Sequence, residues 1–159
     1  MNIIKITNKD KNTIFKMMRV FYDSPALIHH SSDKVLLKDI EDCLDENNPF
    51  IEGYIFREDD KDIGYAMVSR NYTTEYGGIC IWVEDLYLEE GFRNSGRSLQ
   101  FFSFLEKQYP EAVRYKLEVE SDNERAIAAY KKNGYGISEY HLMTKEIEKD
   151  FLENYSIGE

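Results

Sequence analysis

At 159 residues the chain is sized for one domain with its own core, expected to span 1–159, and a content of 42% apolar and 14% aromatic residues excludes a disordered chain. No apolar run reaches the roughly 18–20 residues of a membrane span, and Met1-Asn2-Ile3 opens a strand-like segment instead of a signal peptide, so the expected location is cytoplasmic. A net charge of −10 excludes a general nucleic-acid binder, which needs a basic face, and is compatible with either a cationic substrate or a solvated surface.

In chain order, Ile3, Ile4 and Ile6 predict a first strand. Asn8 or a neighbour then caps a helix that carries Ile14, Met18, Phe21 and Tyr22 on one stripe and stops at Asp23-Ser24-Pro25. A second helix is expected over Asp33 to Asp45, with Val35, Leu36, Ile40 and Leu44 inward. Phe50 to Arg57 and Asp62 to Tyr72 read as a hairpin about Glu58-Asp59-Asp60-Lys61, and a second turn near Tyr76-Gly77-Gly78 leads into a strand from Ile79 to Leu88. That strand is apolar on both alternating faces, as a strand covered on each side requires. Leu99 to Tyr109 has helical spacing, Arg114 to Glu120 alternates, and Asn123 opens a helix with Ala126, Ile127 and Tyr130 inward, stopped by Asn133-Gly134. Tyr140 to Lys145 reads as a last strand, and the tail from Glu146 as a short helix through Phe151 and Tyr155.

The order of strands and helices predicts an α/β (α+β) three-layer domain with a central mixed sheet. Cys43 and Cys80 lie in different predicted elements and give neither a metal pattern nor a disulfide framework. His29-His30, in the linker between the first two helices, has no metal-ligating neighbours, so no metal is expected.

The segment Arg93-Asn94-Ser95-Gly96-Arg97-Ser98 stands between a strand and a helix. The first N–H groups of a helix are unpaired and carry partial positive charge, so a small glycine turn there suits a phosphate, with Arg93 and Arg97 adding charge. Consecutive carboxylates on a strand point to opposite faces, so one of Glu84 and Asp85 is expected to reach a cleft beside the sheet.

Three segments together resemble the GNAT superfamily of acetyl-coenzyme A dependent N-acetyltransferases. They are Ile81-Trp82-Val83-Glu84-Asp85-Leu86-Tyr87-Leu88, the loop Arg93 to Ser98, and Asn123-Glu124-Arg125-Ala126-Ile127-Ala128-Ala129-Tyr130-Lys131-Lys132-Asn133-Gly134-Tyr135. The loop fits the pattern of Arg or Gln, two residues, Gly, one residue and a small residue, with Ser98 in place of the usual Gly or Ala. The element order agrees with a GNAT-like domain whose sheet is mostly antiparallel and flanked by helices.

The resemblance implies a coenzyme A pyrophosphate on the main chain of Asn94, Ser95, Gly96, Arg97 and Ser98, with Arg93 and Arg97 at the rim and Asn123 beside the cofactor. It implies a pantetheine arm along Leu86, Tyr87 and Leu88, in the manner of an added strand. Acetyl-coenzyme A is then the co-substrate and a primary amine of a small molecule attacks it directly. Tyr130 matches the donor of a proton to the departing thiolate. The base is Glu84, Asp85 or Glu120, with Glu84 favoured and acting through a water. The Val-Glu-Asp-Leu-Tyr-Leu stretch is similar to the polyamine and small-amine branch. A silent acetyl-coenzyme A sensor and a protein or peptide N-acetyltransferase are the alternative functions. Phe151 and Tyr155 offer apolar surface either for a homodimer or for packing on their own domain.

Overall fold

A computed structural model describes residues 1–24 and 31–147. The elements follow one another as β1 (Asn2–Lys5), α1 (Lys11–Tyr22), α2 (Asp33–Leu44), β2 (Ile51–Glu58), β3 (Lys61–Thr73), β4 (Gly78–Leu88), α3 (Arg97–Gln108), β5 (Ala112–Leu117) and α4 (Glu124–Lys132). Thr7 starts the first helical turn: its N–H and hydroxyl both donate to Asp10 Oδ2 at 2.8 Å. Burial opposes the charge on Asp10, but the Thr7 hydrogen bonds and the Arg57 guanidinium outweigh it and hold the carboxyl below its ordinary value.

The strands lie in the order β1-β2-β3-β4-β5. The first three pairings are antiparallel, β2-β3 and β3-β4 as hairpins and β1-β2 across the two intervening helices, and β4 and β5 are parallel because α3 carries the chain back across the sheet. Between β2 and β3, Asp59 and Asp60 hold φ of 49° and 60°, both in the left-handed region that the right-handed twist of a tight hairpin favours.

Each face of the sheet carries a layer of helices. On one side Ile14, Met17 and Met18 of α1 and Leu36, Ile40 and Cys43 of α2 pack on Ile55, Tyr65, Met67 and Tyr87. On the other, Phe101, Phe102 and Leu105 of α3 pack on Tyr54, Phe56, Ala66, Val68, Ile81 and Val83, with Tyr130 and Tyr135 at the margin. The three-layer mixed sheet is therefore as the sequence predicts, with element ends shifted by one to three residues.

Two expectations are corrected. Residues 136–147 form no strand, and Ile137, Tyr140, Leu142 and Met143 are exposed. The sheet stops at β5, so the alternation in Tyr140 to Lys145 meets neither a pairing edge nor a layer to cover it; instead the Tyr140 hydroxyl donates to Glu75 at 3.2 Å. The second correction concerns β4. Met67 pairs with Asp85 but Val68 with Val83, so Glu84 is an extra residue in a β-bulge and the strict alternation of faces breaks there. Ile81 and Val83 face α3, whereas Tyr87 faces α1 and α2. His29-His30 and the tail from 148 lie outside the described residues.

Candidate active site

The parallel ladder between β4 and β5 ends at Val83 and Leu117. Beyond it β4 runs on to Leu88 beside β3 alone, which leaves the main chain around Leu86, Tyr87 and Leu88 open on the side that β5 has left. This end of β4 is held tightly from behind. A Cβ at Gly64 on β3 would stand 2.3 Å from the Tyr87 carbonyl oxygen, so only glycine permits the approach. Leu86 and Leu88 pack toward α3, and Tyr87 is buried under α1.

The chain then turns through Glu90–Phe92 and reaches the loop. Asn94 and Gly96 both have positive φ, 61° and 77°. A Cβ at Gly96 would meet nothing within 4 Å, so the space above the turn is open. Gly96 is the residue before α3, and the first helical bond runs from Gln100 N–H to the Gly96 carbonyl at 3.1 Å. The N–H groups of Arg97, Ser98 and Leu99 precede it and have no acceptor within the helix. The Arg93 guanidinium donates to the Leu88 carbonyl at 2.7 Å and lies over the Tyr87 ring, 5.6 Å from its centre; this ties the loop to the end of β4. Arg97 pairs with Glu58 and stacks over Phe92 at 5.0 Å, and its charge is already neutralised. Ser95 donates to the Phe92 carbonyl at 2.6 Å.

A cavity of about 230 Å³ opens on the opposite face of the same strand, lined by Tyr22, Asp39, Ile51, Met67, Glu84 and Asp85. The bulge corrects the expectation that only one of the two consecutive carboxylates reaches a cleft, since both line this cavity. Glu84 is exposed and accepts a hydrogen bond from Ser69. Asp85 is 4% exposed and held on both oxygens, by the Tyr22 hydroxyl at 3.0 Å and the Tyr65 hydroxyl at 2.9 Å. Burial pushes the Asp85 carboxyl up to about 6, although the two phenols favour its charged form. Burial likewise pushes the Asp39 carboxyl up to about 6, with Asp42 and Glu84 adding repulsion. Burial and the Asp85 charge drive the Tyr22 hydroxyl far above its ordinary value, so it remains a donor.

Tyr130 stands on the other side of the sheet, against Phe102 and Tyr135 with ring centres 5.8 and 6.2 Å away. Its hydroxyl has no hydrogen-bond partner among the described residues, and burial raises it above the ordinary value. Asn123 caps α4, accepting from Ala126 N–H at 3.1 Å. Glu120 does not line the cavity.

The structure thus gathers Leu86 to Leu88 and Arg93 to Ser98 along one continuous run and joins Glu84 to Asp85, while Tyr130 reaches the sheet from the α3 layer. Sequence reasoning missed Tyr22, Asp39 and Ser69 as parts of the site. Tyr22 reads in the sequence as part of the inward stripe of α1, and nothing local marks Asp39 or Ser69. Among the described residues, no group of three His, Cys, Asp or Glu side chains is placed to hold a metal ion, and no helix is long and apolar enough to cross a membrane.

The fold matches that of known proteins. The model of the acetyltransferase (GNAT) family matches residues 14–135. A possible acetyltransferase from Clostridium difficile 630 has a TM-score of 0.79 at 18% identity, over 93% of this chain and 98% of that one. AAC(6')-Iy in complex with the bisubstrate analog CoA-S-monomethyl-acetylneamine gives 0.75 at 14% identity, over 92% and 97%. A ribosomal-protein-alanine N-acetyltransferase from Brucella melitensis biovar Abortus 2308 gives 0.68 at 12%, over 92% and 100%. A search of curated proteins found no match.

Proposed function

Because the chain belongs to the acetyltransferase (GNAT) family, we propose that it moves an acetyl group from acetyl-coenzyme A to a primary amine of a small molecule, by direct attack while both are bound. The observation that carries this reading is the pair of carboxylates on the β4 bulge, lining a cavity on the same strand whose far end is free of β5. An amine that approaches such a cavity arrives as an ammonium ion, and two carboxylates attract it and one of them takes its proton.

When bound, acetyl-coenzyme A supplies an acyl group activated as a thioester. The open N–H groups at the start of α3, with Gly96 leaving room for close approach, suit its pyrophosphate. The β4 edge that β5 leaves at Leu86, Tyr87 and Leu88, its Leu88 carbonyl held by Arg93, suits the amides of the pantetheine arm, and an N–H there would polarise the acyl carbonyl. Asn123 flanks this cofactor from the start of α4.

Glu84, exposed at the mouth of the cavity, removes a proton from the ammonium so that the nitrogen lone pair is available. As the new N–C bond forms and the C–S bond breaks, Tyr130 gives its phenolic proton to sulfur, and the second proton that the nitrogen loses on becoming an amide restores the phenol through solvent. Its raised proton affinity keeps it neutral through the physiological range, which a donor requires.

A thiol-release assay with acetyl-coenzyme A against polyamines, amino acids, aminoglycosides and peptides tests the reading. Turnover is expected with small amines. Binding without transfer to any amine would identify a silent acetyl-coenzyme A module, and preference for peptides would identify a protein N-acetyltransferase. Tyr130→Phe is expected to lower kcat about a hundredfold while leaving acetyl-coenzyme A affinity near that of the wild type; equal kcat would remove Tyr130 from the mechanism.

A further inference from the structure

The loop that opens α3 is tied to the sheet at two points. Arg93 holds it to the end of β4 through the Leu88 carbonyl. Arg97 holds it to Glu58, the last residue of β2, with Nε donating to Oε2 at 3.0 Å and Nη2 donating to Oε1. The remaining nitrogen of the same guanidinium, Nη1, donates to the Ser95 hydroxyl and, at 3.5 Å, to the Phe92 carbonyl, while the group lies over the Phe92 ring. One planar fork thus joins the β2-β3 hairpin to Phe92 and Ser95.

The turn beside those residues needs such a hold. Asn94 has a φ of 61°, a left-handed conformation that costs a residue other than glycine and persists where the surroundings fix it. Glu58 is a firm anchor, since the strands pair it with Lys61 across the tight turn Asp59-Asp60. The Met1 amino group lies 3.8 Å from its Oε2 as well. Arg97, with 17% of its side chain exposed, spends all three nitrogens on the protein.

Resting on the acetyl-transfer reading above, we propose that Glu58 is a positioning residue for the diphosphate of the donor. Through Arg97 it holds Phe92 to Ser95 in the turn that leaves the N–H groups at the start of α3 open to the phosphates. Arg97 is then a strut and not a phosphate ligand. The two roles predict opposite signs for the loss of the Glu58 charge. If Arg97 were a ligand held back by Glu58, removing that negative charge would release it and tighten anion binding. Removing the anchor of a strut loosens the turn and weakens binding, because the ligand must then order the loop itself.

Calorimetry of coenzyme A binding distinguishes them without turnover. Glu58→Gln is expected to raise Kd about tenfold, and Arg97→Lys, which keeps the charge but loses the fork, by a similar factor. The double variant binds no more weakly than either single variant, since both break the same link. In turnover the loss falls on KM for acetyl-coenzyme A, and the urea midpoint stays near that of the wild type because the pair is partly exposed. Tighter or unaltered binding by Glu58→Gln would overturn the proposal, as would additive losses in the double variant or a loss that tracks a lowered midpoint. If both single variants lose affinity but the wild type acetylates no amine, the transfer reading fails and the strut stands. If amines are acetylated and Glu58→Gln keeps the wild-type KM for acetyl-coenzyme A, the transfer reading stands and the role of Glu58 fails. A wild type that does not bind coenzyme A overturns both.

Discussion

The two faces of β4 are built on different principles. Toward α3 the strand presents Ile81 and Val83 to a dry layer of Phe101, Phe102 and Leu105. Toward α1 and α2 it presents Glu84 and Asp85 to a cavity, with Tyr22 and Tyr65 as hydrogen-bond donors. One extra residue separates these regimes. Without the bulge at Glu84, the run from Ile81 to Leu88 would alternate regularly and place one of the two carboxylates against the phenylalanines of α3. A single insertion in a strand thus provides the site with paired carboxylates while both layers keep their packing. The dry face is expected to govern stability and the wet face turnover.

Phe101→Ala breaks the dry face and is expected to have the largest effect. Phe101 is fully buried against Phe56 and Phe102, so its removal costs about 3–5 kcal/mol in urea unfolding. Any variant that stays folded keeps its KM for amine. A loss below about 1 kcal/mol would show that α3 does not carry the core.

Excision of Glu84 sharpens the contrast. Removing the extra residue restores a regular ladder with Val83, Asp85 and Tyr87 still on their present faces, so the protein is expected to fold. Acetyl transfer falls at least a hundredfold. Circular dichroism and thiol release measure the two outcomes, and a folded, fully active product would remove the bulge from the mechanism.

The smallest effect is a dependence on pH. Asp39 and Asp85 are pushed up from an ordinary 3.8 to about 6, chiefly by burial. The native state therefore binds more protons than the unfolded chain between about pH 4 and 6, and the stability these groups contribute rises as pH falls through 6 and is complete below 4. Asp10, Glu52 and Glu58 are shifted downward, so their contribution is lost only in more acid solution. From pH 7 to pH 5 the wild type should gain stability relative to the double variant Asp39→Asn, Asp85→Asn. Parallel urea midpoints for the two proteins across that interval would contradict the shifts.

Much of this organisation is legible in the sequence because it is local. Apolar spacing locates the helices, and the strand-loop-helix run through Gly96 announces an anion site before any contact is known. The bulge was not legible: Ile79 to Leu88 contains no Gly or Pro to mark it, and the extra residue exists only by comparison with its partner β3. Tyr22 lies 63 positions from Asp85, so its role depends on how α1 packs against the sheet. The last predicted strand failed for the converse reason, since alternation in Tyr140 to Lys145 describes a capacity for pairing that the structure does not use.

The two cysteines acquire a practical meaning from their burial. Cys43 lies on the buried face of α2 and Cys80 within β4, both 2% exposed or less, and burial raises both thiols, Cys43 to about 12. Neither offers a thiolate to an aromatic disulfide or a maleimide while the native state persists. The intact protein is therefore silent toward reagents that colour with free thiol, and the signal that accompanies turnover belongs to the released coenzyme alone. Reagent uptake by the protein itself becomes a clock for opening of the sheet and its helical covers.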